Sequence, residues 1–546
     1  MSYPRKIHSL IVEDESSVIE GYRATFRELK RTFDLLEPTC VQSFGEAQKH
    51  IAGDRVVHLV ILDLNLPLEN RKEAADGFAL GEQLLELLAS REAYPVPVVL
   101  VVSGKLSQPH SIRGIKDRLA RDFLYGELVN KGSPDAPKEI ETAVRRALQY
   151  VDAGVHIRDA GKQWFPTMSP REEDLLRRCI VRSEMLGVDL RWWNAEPGIS
   201  SALGGRTPSR GPTKVLMGHF LMDEGLGVSL PTFFKFQPAG NAPTVHRDAT
   251  ILAQKLGHVK VLHEVQSRQR SLIVTQSVTN RGTPVPLDEY LVGDPATVAP
   301  QIPKLVAQIV EQLRQLGDQN EEEIQVNRVL FDHLDREAIE KVLRSFDEKA
   351  LGEQGADPLA LMADLQSSHS RQWATRSACI HGDLNASNVA IDAQRATSPQ
   401  AYIFDAAGMK TDLDYRDLAT LEVTTILFNS VVDDGFLNSC RELYRDKFLP
   451  ASPLSEVSSF ARNVFSMVVA LRGHATDEPR QAMYALLVFD AALRQLSGLG
   501  LQPSPNKVKN PQHACALASW ITAWVRNVAS AALSATAPKP TPSQAL

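Results

Sequence analysis

HLVILDLNLP, residues 58–67, runs four apolar residues, Leu59–Leu62, straight into an acid, Asp63, and closes on proline. A short unbroken run of Leu, Val and Ile, without polar alternation, predicts a strand buried on both faces, as in a parallel sheet. Ser9–Val12 and Val98–Val102 have the same character. Gly77–Leu88 and Glu139–Tyr150 instead carry apolar residues three and four apart, the spacing of an amphipathic helix. Strands alternating with helices predict a doubly wound parallel α/β sheet over residues 1–150. On such sheets ligands sit at the carboxyl ends of the strands.

The chemistry-bearing residues of this segment fall at those ends. Glu13 and Asp14 follow the first strand, Asp63 ends 58–62, Ser103 ends Val98–Val102, and Lys131 follows the apolar pair Leu128–Val129. Three carboxylates within about 4–6 Å repel one another by several kcal/mol. Magnesium relieves this, because it takes oxygen ligands and few of them from protein. A divalent ion, a hydroxyl and an ammonium around one carboxylate make an acceptor site for a phosphoryl group.

Through LIVEDE, LVILDLNLP, VVLVVSG and LVNKG the segment resembles the receiver domain of two-component response regulators. The resemblance implies that Asp63 is the phospho-acceptor and that Glu13 and Asp14, with Asp63, carry Mg2+. It further implies that Ser103 senses the phosphoryl group and that Lys131 pairs with its oxygens. A sensor histidine kinase or a small phosphodonor would supply the phosphoryl group. Two positions depart from the pattern: Gly132 stands where the family usually has proline, and Leu128 where its switch is often aromatic. A receiver used only as a docking module is the alternative.

A second acidic site lies far along the chain. Ile380–Ile391 reads IHGDLNASNVAI and Tyr402–Gly408 reads YIFDAAG. A carboxylate beside an acceptor hydroxyl, with an amide and a second carboxylate holding magnesium, equips a site for in-line phosphoryl transfer. These motifs resemble the aminoglycoside phosphotransferase and choline kinase family, which has a two-lobed α+β protein-kinase-like fold. The resemblance implies Asp383 as the catalytic base or hydroxyl-orienting residue, with Asn388 and Asp405 as magnesium ligands. His381 would position the loop, and Asp417 would open a structural helix. Upstream, Gly204 and Gly205 resemble the family's glycine-rich loop, without the Gly-Lys-Ser/Thr ending of a Walker P-loop. Lys235, between phenylalanines on an apolar strand, and Asp248, on a helix thirteen residues later, complete the implied ATP grip. The family usually has the longer glutamate at the position of Asp248.

The chain has 546 residues, enough for about three or four folding units at roughly 150 residues each. The expected division is a receiver at 1–150, a helical linker at 151–190, an N-lobe at 191–300, a helical C-lobe at 301–535 and a disordered tail at 536–546. Within the linker, Ser169–Val181 has the Ser-Pro-acid opening of a helix. Glu321-Glu322-Glu323 reads as a solvated helix face. With 60 basic and 66 acidic side chains the net charge is −6, which points away from nucleic acid as a partner. The five cysteines form no CxxC pair, and neither a secretory signal nor a bilayer-length apolar run is visible, so a cytoplasmic protein without a membrane partner is expected.

Taken together, the sequence predicts a response regulator whose output is an ATP-dependent phosphotransferase acting on a hydroxyl of a small molecule or protein. The alternative is a non-catalytic, pseudokinase-like regulator or scaffold in a signalling or defence complex.

Overall fold

The computed structural model describes residues 6–530 except 54–55, 69–76, 92–96, 105–108, 124, 153–155, 158–169, 183–186, 193–213, 222–230, 258–259, 268–269, 277–283, 318–319, 326–329, 332–333, 346–355, 368–371, 394–397, 406–407, 429–433, 446, 451–457 and 501–510. Gly204, Gly205 and the tail at 536–546 lie outside the described residues. The chain forms two compact units. One comprises Met1–Trp192, Pro212–Ala242 and Val261–Gln276, and the other Trp193–Gly211, Pro243–Lys260 and Ser277–Leu546.

The first unit opens with β1 (Ser9–Val12), α1 (Ser16–Leu29), β2 (Thr39–Val41), α2 (Phe44–Ala52), β3 (Leu59–Leu62), α3 (Gly77–Ser90), β4 (Val98–Ser103), α4 (Pro109–Asp122), β5 (Gly126–Asn130) and α5 (Ala136–Asp152). Its five strands are parallel in the order β2-β1-β3-β4-β5. Alternate residues of each strand feed opposite cores, as the period of two requires. Leu10, Val60, Leu62, Val99 and Val101 pack in a cluster with α2, α3 and α4. Ile11, Leu59, Ile61, Leu100 and Val102 pack in another with α1 and α5. This is the expected doubly wound α/β sheet. Its strand order reverses between β1 and β3, which opens a crevice at their carboxyl ends.

The same unit continues with β6 (His156–Ile157), α6 (Pro170–Arg182), β7 (Gly187–Trp192), β8 (Lys214–Leu221), β9 (Pro231–Pro238), β10 (Lys260–Gln266) and β11 (Arg270–Gln276). These strands form a six-stranded sheet in the order β10-β11-β9-β8-β7-β6. The predicted helix at 169–181 is α6, and its Leu175, Leu176, Cys179 and Ile180 are buried.

The second unit contains α7 (Ala242–Leu256), β12 (Val285–Pro286), α8 (Ile302–Leu316), β13 (Asn320–Gln325), α9 (Arg336–Arg344), α10 (Pro358–Ser367), β14 (Gln372–Ile380), β15 (Val389–Asp392), β16 (Gln400–Ile403), β17 (Lys410–Leu413), α11 (Arg416–Leu427), α12 (Ser459–Arg472), α13 (Glu478–Gly500) and α14 (Pro511–Val528). Glu321–Glu323 corrects the sequence reading: these residues belong to β13, which pairs antiparallel with β14. Glutamate is a poor strand former, but pairing to a neighbouring strand overrides that preference.

Helix α11 is buried along almost its whole length, polar residues included. Its Glu422 accepts hydrogen bonds from Arg472, Tyr444 and Tyr484, and the Arg472 guanidinium lies 4.2 Å from the ring centre of Trp524. A charge buried this deeply persists because its partners satisfy it from every side. Among the described residues no helix is long and apolar enough to cross a membrane, and all five cysteines are free thiols.

Candidate functional site

The crevice at β1 and β3 gathers the predicted acids. The backbone bond from Asp63 N to Val12 O (2.9 Å) ties the end of β3 to β1, and that from Glu13 N to Val41 O (3.0 Å) ties the end of β1 to β2. Side-chain oxygens of Glu13, Asp14 and Asp63 lie within 4.8 Å of one another. Glu13 and Asp63 are buried and Asp14 is exposed, so the cluster opens to solvent on one side. Gly81 matters for this geometry. A side chain there would come within 2.6 Å of the Leu64 Cα, so only glycine lets α3 cross directly over the turn that follows Asp63.

Lys131 arrives from the end of β5. Its backbone N–H donates to Ser103 O (3.1 Å), tying it to the buried end of β4. Its Nζ lies 2.5 Å from Glu13 Oε2 and 2.6 Å from Asp63 Oδ2. Burial pushes the Glu13 carboxyl up to about 7, against the pull of the Lys131 ammonium. Burial also works against the charge on Lys131, but its bonds to Asp63 and Glu13 outweigh this and hold it above the usual lysine range. Backbone donors also reach the acids, from Asn65 N to Asp63 Oδ1 (3.0 Å) and from Glu15 N to Glu13 Oε1 (3.2 Å). An all-oxygen set with one open side fits magnesium, which keeps several waters. Glu13, Asp14 and Asp63 are the residues that would hold it.

The second site is built on the loop between β14 and β15. Asp417, at the start of α11, is fully buried and accepts the backbone N–H groups of His381 (2.6 Å) and Gly382 (3.1 Å). Burial raises the Asp417 carboxyl above its ordinary range, opposed by His381 and by these two bonds. Gly382 has φ +87°, the left-handed region open to glycine. The His381 ring bonds Phe404 O through Nε2 (2.9 Å), so the histidine braces the loop, as predicted.

Asp383 follows, exposed. Asn388 Nδ2 lies 2.7 Å from the Asp383 carbonyl oxygen, which turns the Asn388 Oδ1 away as the atom a cation could use. Phe404 N donates to Asn388 O (3.1 Å), extending the β15–β16 ladder in which Val389 pairs with Ile403. That register brings the backbone of Asp405 beside the Asp383–Asn388 loop. Asp405 itself has φ +61°, a conformation that costs a non-glycine residue energy and is held by its surroundings. An amide oxygen and a carboxylate are hard donors of the kind magnesium takes, so Asn388 and Asp405 fit that role.

Of the implied nucleotide grip, Lys235 lies on β9 in the first unit, buried, between Val215 of β8 and Ile273 of β11. Asp248 lies on α7 in the second unit, fully buried. Its Oδ2 accepts from Gly408 N (2.8 Å) and Met409 N (3.2 Å), and its Oδ1 from Arg247 Nη2 (2.8 Å). It therefore pins the segment just after Asp405, a task its sequence position did not suggest. Asn385 was also missed; its amide reaches Asp383 and no spacing rule marks it.

No family model matches the chain, and no curated protein does. Solved structures do. The chain is similar to a CheY-like response regulator receiver domain from Methylobacillus flagellatus, with 23% identity over 26% of this chain and 99% of that one, at TM-score 0.18. It is similar to an ethanolamine kinase from Plasmodium vivax, with 12% identity over 65% and 85% of the two chains, at TM-score 0.28. It is also similar to a putative aminoglycoside phosphotransferase from Ralstonia eutropha, with 10% identity over 65% and 97%, at TM-score 0.33. At these identities and scores no chemistry carries over; what the two acidic sites can do follows from their own residues.

Proposed function

We propose that the chain is a phosphorylation-controlled phosphotransferase: Asp63 accepts a phosphoryl group, and the site around Asp383 transfers one from ATP to a hydroxyl. The observation that carries this reading is the presence, in one chain, of two separate oxygen-rich sites with complementary equipment. At the first, an Asp63 oxygen attacks phosphorus of a phosphodonor as the donor's P–O or P–N bond breaks; Lys131 Nζ, 2.6 Å from Asp63, is poised to meet the added charge. At the second, Asp383 orients the acceptor hydroxyl and takes its proton. The new O–P bond forms as the bond to the γ-phosphorus breaks, and the electron pair leaves with ADP. Magnesium at Asn388 and Asp405 would offset charge on the phosphates. Lys235 and Asp248, with Gly204 and Gly205, complete the proposed nucleotide grip.

Helix α6 links the receiver-like part of the first unit to its six-stranded sheet. Its buried Glu172 pairs with Arg270 at the start of β11, and its Arg178 Nη1 donates to Arg121 O (3.1 Å) near the end of α4. A helix that grips α4 on one side and β11 of the six-stranded sheet on the other can transmit a shift of one to the other. The second reading, a nucleotide-sensing regulator without transfer, is favoured by Asp248, whose short carboxylate already serves Gly408, Met409 and Arg247.

Two measurements test the proposal. Acetyl phosphate with Mg2+ should add one phosphoryl group to the wild type and none to Asp63→Asn; equal labelling removes Asp63 from the role. MgATP turnover should fall about 100- to 10,000-fold in Asp383→Ala. Wild-type protein that never consumes ATP with any acceptor offered selects the regulator reading.

A further inference from the structure

Asn385 stands two residues after Asp383 and opens the short turn Ala386–Asn388. It is 1% exposed, whereas Asp383 is open to solvent. The Asn385 Oδ1 accepts from Ser387 N (3.1 Å) and from Ser387 Oγ (2.5 Å). The Ser387 backbone N–H can only donate, so the amide is oriented one way, with its NH2 turned toward Asp383. There Nδ2 lies 3.2 Å from the Asp383 carbonyl oxygen and 3.2 Å from Asp383 Oδ1. The amide of Asn388 approaches the other carboxylate oxygen, Oδ2, at a longer 3.4 Å. The carboxylate is thus held more tightly at Oδ1 and less at Oδ2.

We infer that Asn385 is a positioning residue, locked by Ser387, that fixes the Asp383 carboxylate so that Oδ2 faces the acceptor hydroxyl. An exposed aspartate otherwise samples several rotamers, and a reacting group displaced by about 1 Å loses roughly two decades in rate. A buried asparagine held by two donors is a stiff support for a flexible partner. The inference rests on the reading of Asp383 as the residue that orients the hydroxyl. It adds which residue orients Asp383, and which oxygen does the work.

The test uses the full-length chain, with MgATP and water as the acceptor, and a double-mutant cycle. Asn385→Asp keeps the side chain's volume and the oxygen that accepts from Ser387, but replaces the donor facing Asp383 with a second acceptor. Both Asn385→Asp and Asn385→Ala should lower kcat about 10- to 100-fold with KM for ATP unchanged. In the Asp383→Ala background, Asn385→Asp should lower the residual rate no further, because its effect runs through the missing carboxylate. A role in folding alone would lower stability in both backgrounds, and its effect on the rate would persist without Asp383. Should Asn385→Ala fail to fold, the isosteric variant carries the test. If Asn385→Asp turns over at the wild-type rate, or its loss is undiminished in the Asp383→Ala background, the inference is overturned while the phosphotransfer reading stands. If wild type consumes no ATP, or Asp383→Ala equals wild type, the phosphotransfer reading falls and takes the inference with it.

Discussion

Around Asp63, three carboxylates crowd within 4.8 Å and one ammonium, Lys131, answers them. Around Asp383, a single exposed carboxylate faces two side-chain amides, and its loop hangs from a buried acid, Asp417, through two backbone N–H bonds. The first site stores repulsion that a cation or a phosphoryl group can reorganise. The second stores less: Asp383 repels the buried Asp417, but the neutral amide donors around Asp383 need not move during a reaction. One arrangement suits a switch, whose charge state must change its structure, and the other a catalyst, whose geometry must not change.

Substitutions can break this contrast, beginning with the largest effect. Asp417→Ala takes the acceptor away from the buried N–H of His381 and from the part-buried N–H of Gly382. At about 1–3 kcal/mol for each, urea denaturation should show a loss of roughly 2–6 kcal/mol, which Mg2+ does not restore. Lys131→Met leaves Glu13 and Asp63 buried without their counterion, a change of about 3–5 kcal/mol at neutral pH. Here the same denaturation with added Mg2+ should recover part of the loss, since the ion replaces the missing positive charge. Recovery at both sites, or at neither, would erase the distinction.

The pH dependence sharpens it. Glu13 titrates near 7 in the folded protein against 4.5 for the free side chain, so the folded state holds its proton more tightly. Its contribution to stability is complete below pH 4.5 and is lost as pH rises through 7. Without metal that loss should reach about 3 kcal/mol at most by stability measurements across this window. Glu13→Gln should remove it, and saturating Mg2+ should reduce it. The smallest effect belongs to a surface pair outside both sites: Arg146→Ala, which breaks the half-exposed contact to Glu127, should change stability by less than about 1 kcal/mol.

Much of the first unit was legible because its signals are local. Leu59–Leu62 and Val98–Val102 read as buried strands from composition alone, and the acids sit directly at their ends. The helix at 170–182 announced itself through Ser-Pro and its first-turn acids. What escaped reading depends on distant partners. The β13 glutamates gave no periodicity, and their strand partner lies about fifty residues downstream. Asp248 meets Gly408 across 160 positions, and Glu172 meets Arg270 across 98. Asn385 was close in sequence but silent, because its importance comes from the orientation Ser387 imposes rather than from a spacing.

The claim on which the rest depends is that charge at Asp63 governs phosphoryl transfer at Asp383. It is tested most directly by MgATP turnover in the full-length chain before and after treatment with acetyl phosphate, in wild type and in Asp63→Asn. A severalfold change is expected in wild type and none in Asp63→Asn. An unchanged rate in wild type that does turn over ATP, or the same change in both proteins, would contradict it.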